Sequence, residues 1–206
     1  EDFEKKITKK TIAVMPVHFA STTCDLDSLY SISKKNKLRV IEDAAHAFGS
    51  FYKKRRIGTF GDIICFSFDG IKNITCGEGG CVVSQNKGEI EIMRDIRLLG
   101  VSKDSERRII NERSLDFDVI HQGWRYHMSN INAAIGIVQL RRFNELSGKR
   151  KSIKEIYDQG LEGNKKIWPF LKSGKDITPH IYVVRCLNNK IRDRLRTNLS
   201  NNRIII

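Results

Sequence analysis

The sequence predicts an α/β protein with a mainly parallel sheet and helices on its faces. Two short β-prone runs, 11–17 and 38–41, flank an amphipathic stretch that Asp25 is placed to cap as a helix ending near Lys35. Strand, helix and strand at this spacing make a βαβ unit, whose strands are parallel. The 206 residues suffice for one sizeable core, or for one domain with part of a second.

Three further β segments follow. The segment 51–61 is typical of a surface hairpin, and its basic cluster 53–56 fits a solvated hairpin tip better than a nucleic-acid patch. The apolar runs 63–68 and 81–84 predict two buried strands joined by a glycine-containing loop.

Helical patterns dominate the next part of the chain. An amphipathic helix is predicted over 87–99 and a long loop over 101–122. Ser129 is placed to cap a long helix whose apolar pattern continues to Leu161, and we expect Gly148 to kink or interrupt that helix.

The last segment predicts a second, smaller α+β unit. It contains an irregular stretch at 163–175, a strand at 180–186, a helix at 191–199 and the first residues of a strand at 203–206. We therefore divide the chain into a partial large domain (1–128), connecting helices (129–162) and a truncated small domain (163–206). Both ends look cut, because the chain begins without Met and stops on an apolar run.

Composition restricts the class of protein. The net charge of +13 suits an anionic partner, but the basic residues are scattered without interleaved aromatics, so nucleic-acid binding is disfavoured. The five cysteines include no C-x-x-C pair, which predicts reduced thiols and a cytoplasmic location. No apolar run approaches the roughly 20 residues that a bilayer requires, and no clustered Cys/His set predicts a metal site.

The loop that follows the strand at 63–68 carries one lysine, Lys72, and closes on glycines. A lysine at the end of a strand is a candidate nucleophile, since its free amine attacks carbonyls and forms Schiff bases. A solvated loop lysine is the alternative. A phosphate-binding Walker A loop is excluded because the lysine precedes the glycines instead of following them.

An acidic turn, Glu42-Asp43, stands at the carboxyl end of the strand at 38–41, where parallel sheets form their ligand crevices. Successive side chains of an extended segment point to opposite sides, so one carboxylate is expected to face the site and the other to face solvent or a partner. Together with Lys72 and the strand-end residue Ser67, Asp43 suits a cofactor with a carbonyl, a phosphate and a ring nitrogen. Pyridoxal 5'-phosphate (PLP) has all three.

Four ordered motifs resemble the DegT/DnrJ/EryC1/StrS family of sugar aminotransferases. They are Val40-Ile41-Glu42-Asp43-Ala44-Ala45-His46, Phe66-Ser67-Phe68 with Lys72-Asn73, Gly77-Glu78-Gly79-Gly80, and Gly123 to Ser129 with Ala133-Ala134-Ile135-Gly136. The resemblance implies a PLP-transferase fold of type I, similar to aspartate aminotransferase. It also implies a homodimer with shared active sites, nucleotide-linked 3- or 4-keto-6-deoxyhexose substrates and glutamate as amino donor, in surface polysaccharide or glycoside biosynthesis.

The same resemblance assigns roles to particular residues. Lys72 would form the Schiff base with PLP and carry the proton between Cα and C4′, and Asp43 would keep the pyridinium nitrogen protonated, with Glu42 on the outer side. His46 would lie near the phenolic oxygen, and Ser67 would bind the phosphate. Arg125 stands where many relatives have an asparagine that reaches the phosphate of the neighbouring subunit.

Two alternatives accompany this hypothesis, together with one expectation about cofactor binding. Sugar deoxygenation is disfavoured because relatives with that chemistry replace the lysine by histidine. Because the amino-terminal phosphate-binding turn and stacking aromatic of the family are missing, we expect this chain alone to bind PLP weakly or not at all. An inactive fragment or a non-catalytic family member is the alternative to an active enzyme.

Overall fold

A computed structural model of the chain describes residues 2–101, 118–170 and 176–205. The strands are β1 (Ala13–Val14), β2 (Arg39–Asp43), β3 (Phe51–Tyr52), β4 (Arg55–Arg56), β5 (Ile63–Ser67), β6 (Gly80–Ser84), β7 (Ile167–Pro169) and β8 (Val184–Cys186). The α-helices are α1 (Asp2–Lys6), α2 (Leu26–Lys35), α3 (Lys87–Ile96), α4 (Asn130–Arg141), α5 (Phe143–Gly160) and α6 (Asn189–Asn201), and a short 3-10 helix spans Phe19–Ser21.

The main sheet has four strands in the order β1, β2, β5, β6. The first three strands are parallel, and β6 returns antiparallel to β5. Helix α2 connects β1 to β2, and the Asp25 side chain accepts a hydrogen bond from the Ser28 amide as its N-cap. The predicted mainly parallel α/β sheet is therefore confirmed.

The two faces of this sheet have different surroundings, because side chains alternate along each strand. One face packs into the core through Val40, Ile64 and Phe66, all of which are buried. The opposite face presents Asp43 and Ser67, which are half-buried. The register pairs Asp43 with Cys65, so Asp43 and Ser67 occupy the same face two residues apart along the strand direction.

The core lies between this buried face, helix α2 and the segment that follows β2. Its fully buried residues are Leu26, Ala44, Ala47, Ile57, Ile64 and Phe66. Burying a side chain of the size of Leu26 stabilises the fold by about 1.5–3 kcal/mol. Phe48 extends the core towards α5, since its ring meets those of Phe66, Phe68 and Phe143 edge-on at 5.2–5.8 Å.

The basic cluster at 53–56 lies on the predicted hairpin, which is formed by β3 and β4. The Lys53 ammonium pairs with Asp27, and the Arg55 and Arg56 guanidinium groups lie over the rings of Phe60 and Phe51. Three of the four basic side chains are thus engaged within the chain itself, which supports the hairpin interpretation.

The connecting helices break at a position that the sequence analysis did not predict. Gly148 lies within the continuous helix α5, so the expected interruption there is wrong. The break falls instead at Arg142, between α4 and α5. Phe143 begins α5 and is buried against Phe48, so tertiary packing at this residue accompanies the break.

Several predicted strands are shorter than expected. In the segment 11–17 only Ala13–Val14 form a strand, because Pro16 has no amide hydrogen to donate. In the segment 180–186 the strand covers only Val184–Cys186.

The remaining differences lie near segment ends. Helix α3 ends at Ile96, before Leu99 and Gly100 adopt positive φ angles. The stretch 163–175 was predicted to be irregular, but Ile167–Pro169 pair with β8, and 171–175 lie outside the described residues. No strand forms at 203–205, and most of the predicted loop 101–122 also lies outside the described residues.

Candidate active site

Glu42 and Asp43, adjacent on β2, lie on opposite faces of the sheet. Glu42 is 1% exposed, so the expectation that the second carboxylate faces solvent is wrong, whereas the alternative that it faces a partner is right. Its Oε2 lies 2.7 Å from Nε2 of the fully buried His18, and its Oε1 accepts a 2.6 Å hydrogen bond from the Tyr30 hydroxyl. Burial, and then the hydrogen bond to Glu42, raise the pKa of Tyr30.

Asp43 is half-buried on the open face. Its Oδ1 accepts a 3.0 Å hydrogen bond from the Ala45 amide, which forms a local turn after β2. Asp43, Ala45 and Ser67 line an open depression of about 310 Å³ whose other walls include Met15, Ile41 and Cys65. A carboxylate and a hydroxyl thus share one accessible concavity at the carboxyl ends of two parallel strands.

Lys72 lies on a tight turn that starts at the end of β5. The Ser67 hydroxyl accepts a 3.3 Å hydrogen bond from the Asp69 amide, and the Asp69 carbonyl accepts one of 3.0 Å from the Lys72 amide. The Asp69 carboxylate accepts a further bond from the Ile71 amide at 3.1 Å. These three contacts fix the path of the backbone between Ser67 and Lys72, whose side chain is half-buried.

The glycine motif closes this turn. Gly77 has a φ of +85°, a conformation that favours glycine. A Cβ atom on Gly79 would lie 2.7 Å from the Cys76 sulfur and 2.8 Å from Cε of Met128, so a larger residue there would have to displace these side chains. Asn132 on α4 donates to the Glu78 carbonyl at 2.8 Å. The helix that follows the Gly123 motif therefore contacts the end of the Lys72 loop.

Two histidines lie beside the lysine loop. The rings of His46 and His180 are 4.3 Å apart, and His46 Nδ1 lies 3.4 Å from the Ala20 amide, which donates to it. Burial and then the Lys72 ammonium lower the pKa of His46, while Asp43 opposes this effect. The carbonyls of Lys72 and His180 accept hydrogen bonds from the same Arg150 guanidinium, so the lysine loop lies beside the two histidines.

Arg125 is separate from this cluster in the described part of the chain. Its neighbours Trp124 and Tyr126 donate backbone hydrogen bonds to the carbonyls of Ile96 and Arg97 at the end of α3. The Arg125 side chain is exposed, and within residues 2–101, 118–170 and 176–205 no hydrogen bond joins it to the other predicted site residues. The structure therefore brings together Lys72, Asp43, His46 and Ser67, but not Arg125.

Comparison with known proteins gives one family. The model of the DegT/DnrJ/EryC1/StrS aminotransferase family matches residues 1–206. The chain belongs to this family. Members of the family use PLP, and the α/β architecture with its mixed, mostly parallel sheet is that of fold type I.

Individual relatives are consistent with the family assignment. The uncharacterized protein MJ1066 of Methanocaldococcus jannaschii is 40% identical over 183 residues, covering 88% of this chain and 47% of that protein. Spr1654 of Streptococcus pneumoniae in its PMP form is 28% identical with a TM-score of 0.87, over 97% of this chain and 56% of that one. A PLP form of Spr1654 matches with a TM-score of 0.84.

PseC of Helicobacter pylori, an aminotransferase involved in the biosynthesis of pseudoaminic acid, is 28% identical with a TM-score of 0.84. The alignment covers 96% of this chain and 51% of PseC. The chain thus spans about half the length of the relatives that it matches.

The residues of the open face fit the cofactor of the family. PLP requires an amine for its aldehyde, an anion for its pyridinium nitrogen and donors for its phosphate. Lys72, Asp43 and the Ser67 hydroxyl are of those types, and the depression beside Asp43 and Ser67 is open. Among the described residues, no group of His, Cys, Asp and Glu is arranged to hold a metal ion, and no helix is long and apolar enough to cross a membrane.

Sequence reasoning missed three residues that shape this site. Asn73, next to Lys72, donates to the Phe48 carbonyl at 2.9 Å and lies 3.4 Å from the Thr178 carbonyl. His180 and Arg150 come from distant segments and approach the loop only in the folded chain. A buried asparagine beside the lysine could have been suspected from the motif itself, but the other two carried no local signal.

Proposed function

We propose that the full-length protein is a PLP-dependent aminotransferase. It transfers an amino group, from glutamate, to a nucleotide-linked 3- or 4-keto-6-deoxy sugar for surface polysaccharide or glycoside biosynthesis. The observation that carries the proposal is the position of Lys72. It follows Ser67 by a fixed turn, and Ser67 and Asp43 line one open depression at the strand ends. Family membership supplies the reaction type.

Asp43 and Ser67 on the open face and the loop residues Lys72 and His46 each have a part in this proposal. When bound, PLP supplies an electron sink that stabilises negative charge developing at the amino donor's Cα. Lys72 would hold the cofactor covalently and, when released, its Nζ would carry the proton between Cα and C4′. The Asp43 carboxylate would keep a proton on the ring nitrogen, His46 would lie near the phenolic oxygen, and Ser67 would bind the phosphate.

Asp43 is prepared for its role by its local geometry. The hydrogen bond from the Ala45 amide occupies one lone pair of Oδ1 and orients the carboxylate, which leaves Oδ2 available to a ring N–H. Small Ala45 next to it allows a flat ring to approach the backbone. The same strand directs Glu42 to the other face, so a second carboxylate does not compete for the proton.

The overall reaction balances without a further reagent. Glutamate loses its amino group and becomes the 2-oxo acid, and the sugar ketone becomes an amine; the one water consumed in the first half-reaction is released in the second. No net redox change accompanies the pair of half-reactions, so PLP returns to its starting form.

The proposal also covers the oligomeric state, the division into domains and the cellular location. We propose a homodimer in which Arg125 reaches the phosphate bound by the neighbouring subunit, and a division into large domain (1–128), connecting helices (129–162) and small domain (163–206). The exposed apolar side chains Ile131, Ile135 and Val138 on α4 support a covered interface. A cytoplasmic location is also proposed, supported by five free cysteines.

The test is chemical labelling of the full-length protein. PLP is added, the covalent linkage is reduced with borohydride, and the labelled peptide is mapped by mass spectrometry. We expect the label on Lys72, no label in Lys72→Ala, and full labelling in Lys54→Ala, an exposed lysine on the hairpin. A label on a different lysine of the wild-type protein contradicts the assignment.

A second assay addresses the substrate class. Nucleotide-linked 4-keto and 3-keto-6-deoxyhexoses are incubated with the PLP-loaded protein and L-glutamate, and amino sugar is detected by mass spectrometry. Turnover of either sugar supports the proposal. Labelling of Lys72 without turnover of any keto sugar would favour a non-catalytic family member. The 206-residue chain is measured in parallel, because weak or absent PLP binding is expected for it.

A further inference from the structure

The segment 176–180 is held in place by hydrogen bonds with two adjacent residues, Ser50 and Phe51. The Phe51 amide donates to the Asp176 carbonyl at 2.7 Å, and the Thr178 amide donates to the Ser50 hydroxyl at 3.0 Å. Thr178 and Ser50 are both buried, so this hydrogen bond is shielded from water. The segment therefore has a fixed place beside the segment that carries His46.

Arg150, on α5, joins that segment to the lysine loop. Its Nη1 donates to the His180 carbonyl at 3.1 Å, and its Nη2 donates to the Lys72 carbonyl at 3.4 Å. Because the guanidinium is planar and rigid, one side chain sets the separation of two main-chain carbonyls. The two residues that it joins are 108 positions apart in sequence, Lys72 and His180.

His180 is a buried imidazole without a partner at one nitrogen. It is 8% exposed, and its Nδ1 has no hydrogen-bond partner among the described residues. Burial, and then the charges of His46, Lys72 and Arg150, lower its pKa to about 4, while Asp69 opposes this effect. Near neutral pH the ring is therefore uncharged, and a neutral imidazole both donates and accepts hydrogen bonds.

We propose that Arg150 is a positioning residue, whose guanidinium holds the Lys72 loop against the His180 segment and so places Lys72 beside the His46–His180 pair. This inference rests on the proposed function for its effect on catalysis. Arg150 acts through two backbone carbonyls, and neither contact requires a bound molecule. It therefore sets where the amine of Lys72 stands and takes no proton itself.

Two substitutions separate the two properties of Arg150. Arg150→Lys keeps the positive charge but loses the fork that reaches two carbonyls. Arg150→Met keeps most of the length of the side chain but loses both the charge and the donors. Arg194→Lys and Arg194→Met on helix α6 are the matched controls, since Arg194 is exposed and distant from the lysine loop in sequence.

The first measurements use the cofactor-free full-length protein. Amide hydrogen exchange at residues 69–73 and 178–181 is expected to accelerate about tenfold or more in both Arg150 variants, because a hydrogen bond from a charged group is lost. Histidine NMR titration is expected to show a higher pKa for His180 in Arg150→Met and a smaller change in Arg150→Lys. Loss of packing alone does not produce this difference between the two variants.

A third measurement tests whether the contacts of Arg150 affect the rate of the reaction. L-glutamate converts the PLP form into the PMP form, and the rate is followed by absorbance. We expect this rate to fall about 10- to 100-fold in both Arg150 variants, the range produced by misplacing a reacting group by about 1 Å. The glutamate concentration for half-maximal rate is expected to change less than the rate.

Failure of the role proposed for Arg150 can be distinguished from failure of the proposed function. Unchanged exchange in the Lys72 loop of Arg150→Met, or an unchanged His180 titration, overturns the positioning role, whether or not Lys72 binds PLP. Borohydride labelling at a different lysine overturns the proposed function, while the exchange and titration results still decide the role of Arg150. If Arg150→Met does not fold, Arg150→Lys carries the test through exchange and rate.

Discussion

Glu42 and Asp43 are neighbours on β2, but the two faces of the sheet give them opposite surroundings. Glu42 is enclosed with His18 and Tyr30, and both of its carboxylate oxygens have hydrogen-bond partners. Asp43 opens onto the depression beside Ser67, with one oxygen held by the Ala45 amide. The carboxylate on one face therefore stabilises the fold, and the carboxylate on the other face remains available to a ligand.

This difference indicates how stability and reactivity are separated in the molecule. A buried carboxylate lowers the free energy of the folded state only while its partners are present, and losing one partner is costly. A half-exposed carboxylate contributes little to stability, so it can change partners during a reaction. Alternation along one strand supplies both environments within a single dipeptide.

The largest effect is expected on the buried face. Glu42→Ala leaves His18 and the Tyr30 hydroxyl without their partner, so we expect the free energy of unfolding to fall by about 3–5 kcal/mol. Urea denaturation of the cofactor-free protein measures this change. Asp43→Ala is the adjacent control and is expected to lower stability by less than about 1 kcal/mol. Equal losses in the free energy of unfolding for the two variants would contradict the difference between the two faces.

The next effect is a pH dependence that arises at His180. Its pKa is lowered to about 4 in the folded protein, so the unfolded chain binds more protons between about pH 6.5 and 4. The free energy of unfolding is therefore higher at neutral pH, and it decreases by about 3 kcal/mol as the pH falls through this window. Urea midpoints measured from pH 7 to pH 4 check the prediction.

The control for this pH dependence is a comparison of histidines. His180→Gln is expected to remove most of the slope, whereas His121→Gln, which changes an exposed residue, is expected to keep it. The charged and titratable groups that act on His180 are His46, Lys72, Arg150 and Asp69. A slope that persists in His180→Gln would assign the effect to His46 instead, whose pKa is also lowered by burial.

On the open face, the expected effect appears in binding instead of stability. Asp43→Asn keeps the size and the acceptor for the Ala45 amide but removes the charge that would face the ring nitrogen. We expect PLP to bind the full-length variant about 10- to 100-fold more weakly, because a charge-assisted hydrogen bond contributes about 1.5–3 kcal/mol. Absorbance titration with PLP measures the change, and Cys65→Ser, on the same face, is a control for the environment. Unaltered affinity would contradict the role of Asp43.

Several secondary-structure elements and the local motifs could be predicted from the sequence. Alternating and helical periodicity gave β2, β5, α2 and the cap at Asp25, and the strand-end position of Asp43 followed from the parallel sheet. These features depend on neighbouring residues or on a period of two or 3.6, which a single sequence carries.

The rest depended on contacts between distant parts of the chain. Whether Glu42 faced solvent or a partner was decided by His18, which lies 24 residues away, and no local pattern indicates that pairing. The helix break at Arg142 is likewise accompanied by a tertiary contact, the packing of Phe143 against Phe48. Glycine at 148 was a misleading signal, since an exposed helix tolerates it at a cost of about 1 kcal/mol.

The smallest effect is expected at the start of the same strand. Arg39 forms two hydrogen bonds of 2.7 Å with the Asp62 carboxylate and lies 2.8 Å from a Glu89 oxygen, so it has more ionic contacts than Glu42. Its side chain is 49% exposed, and water screens these charges. We therefore expect Arg39→Ala to lower the free energy of unfolding by about 0.5–1 kcal/mol, and by less at high salt. Urea denaturation at low and high ionic strength checks this. A loss as large as that of Glu42→Ala would show that the number of ionic contacts of a side chain, and not its burial, decides how much that side chain stabilises the sheet.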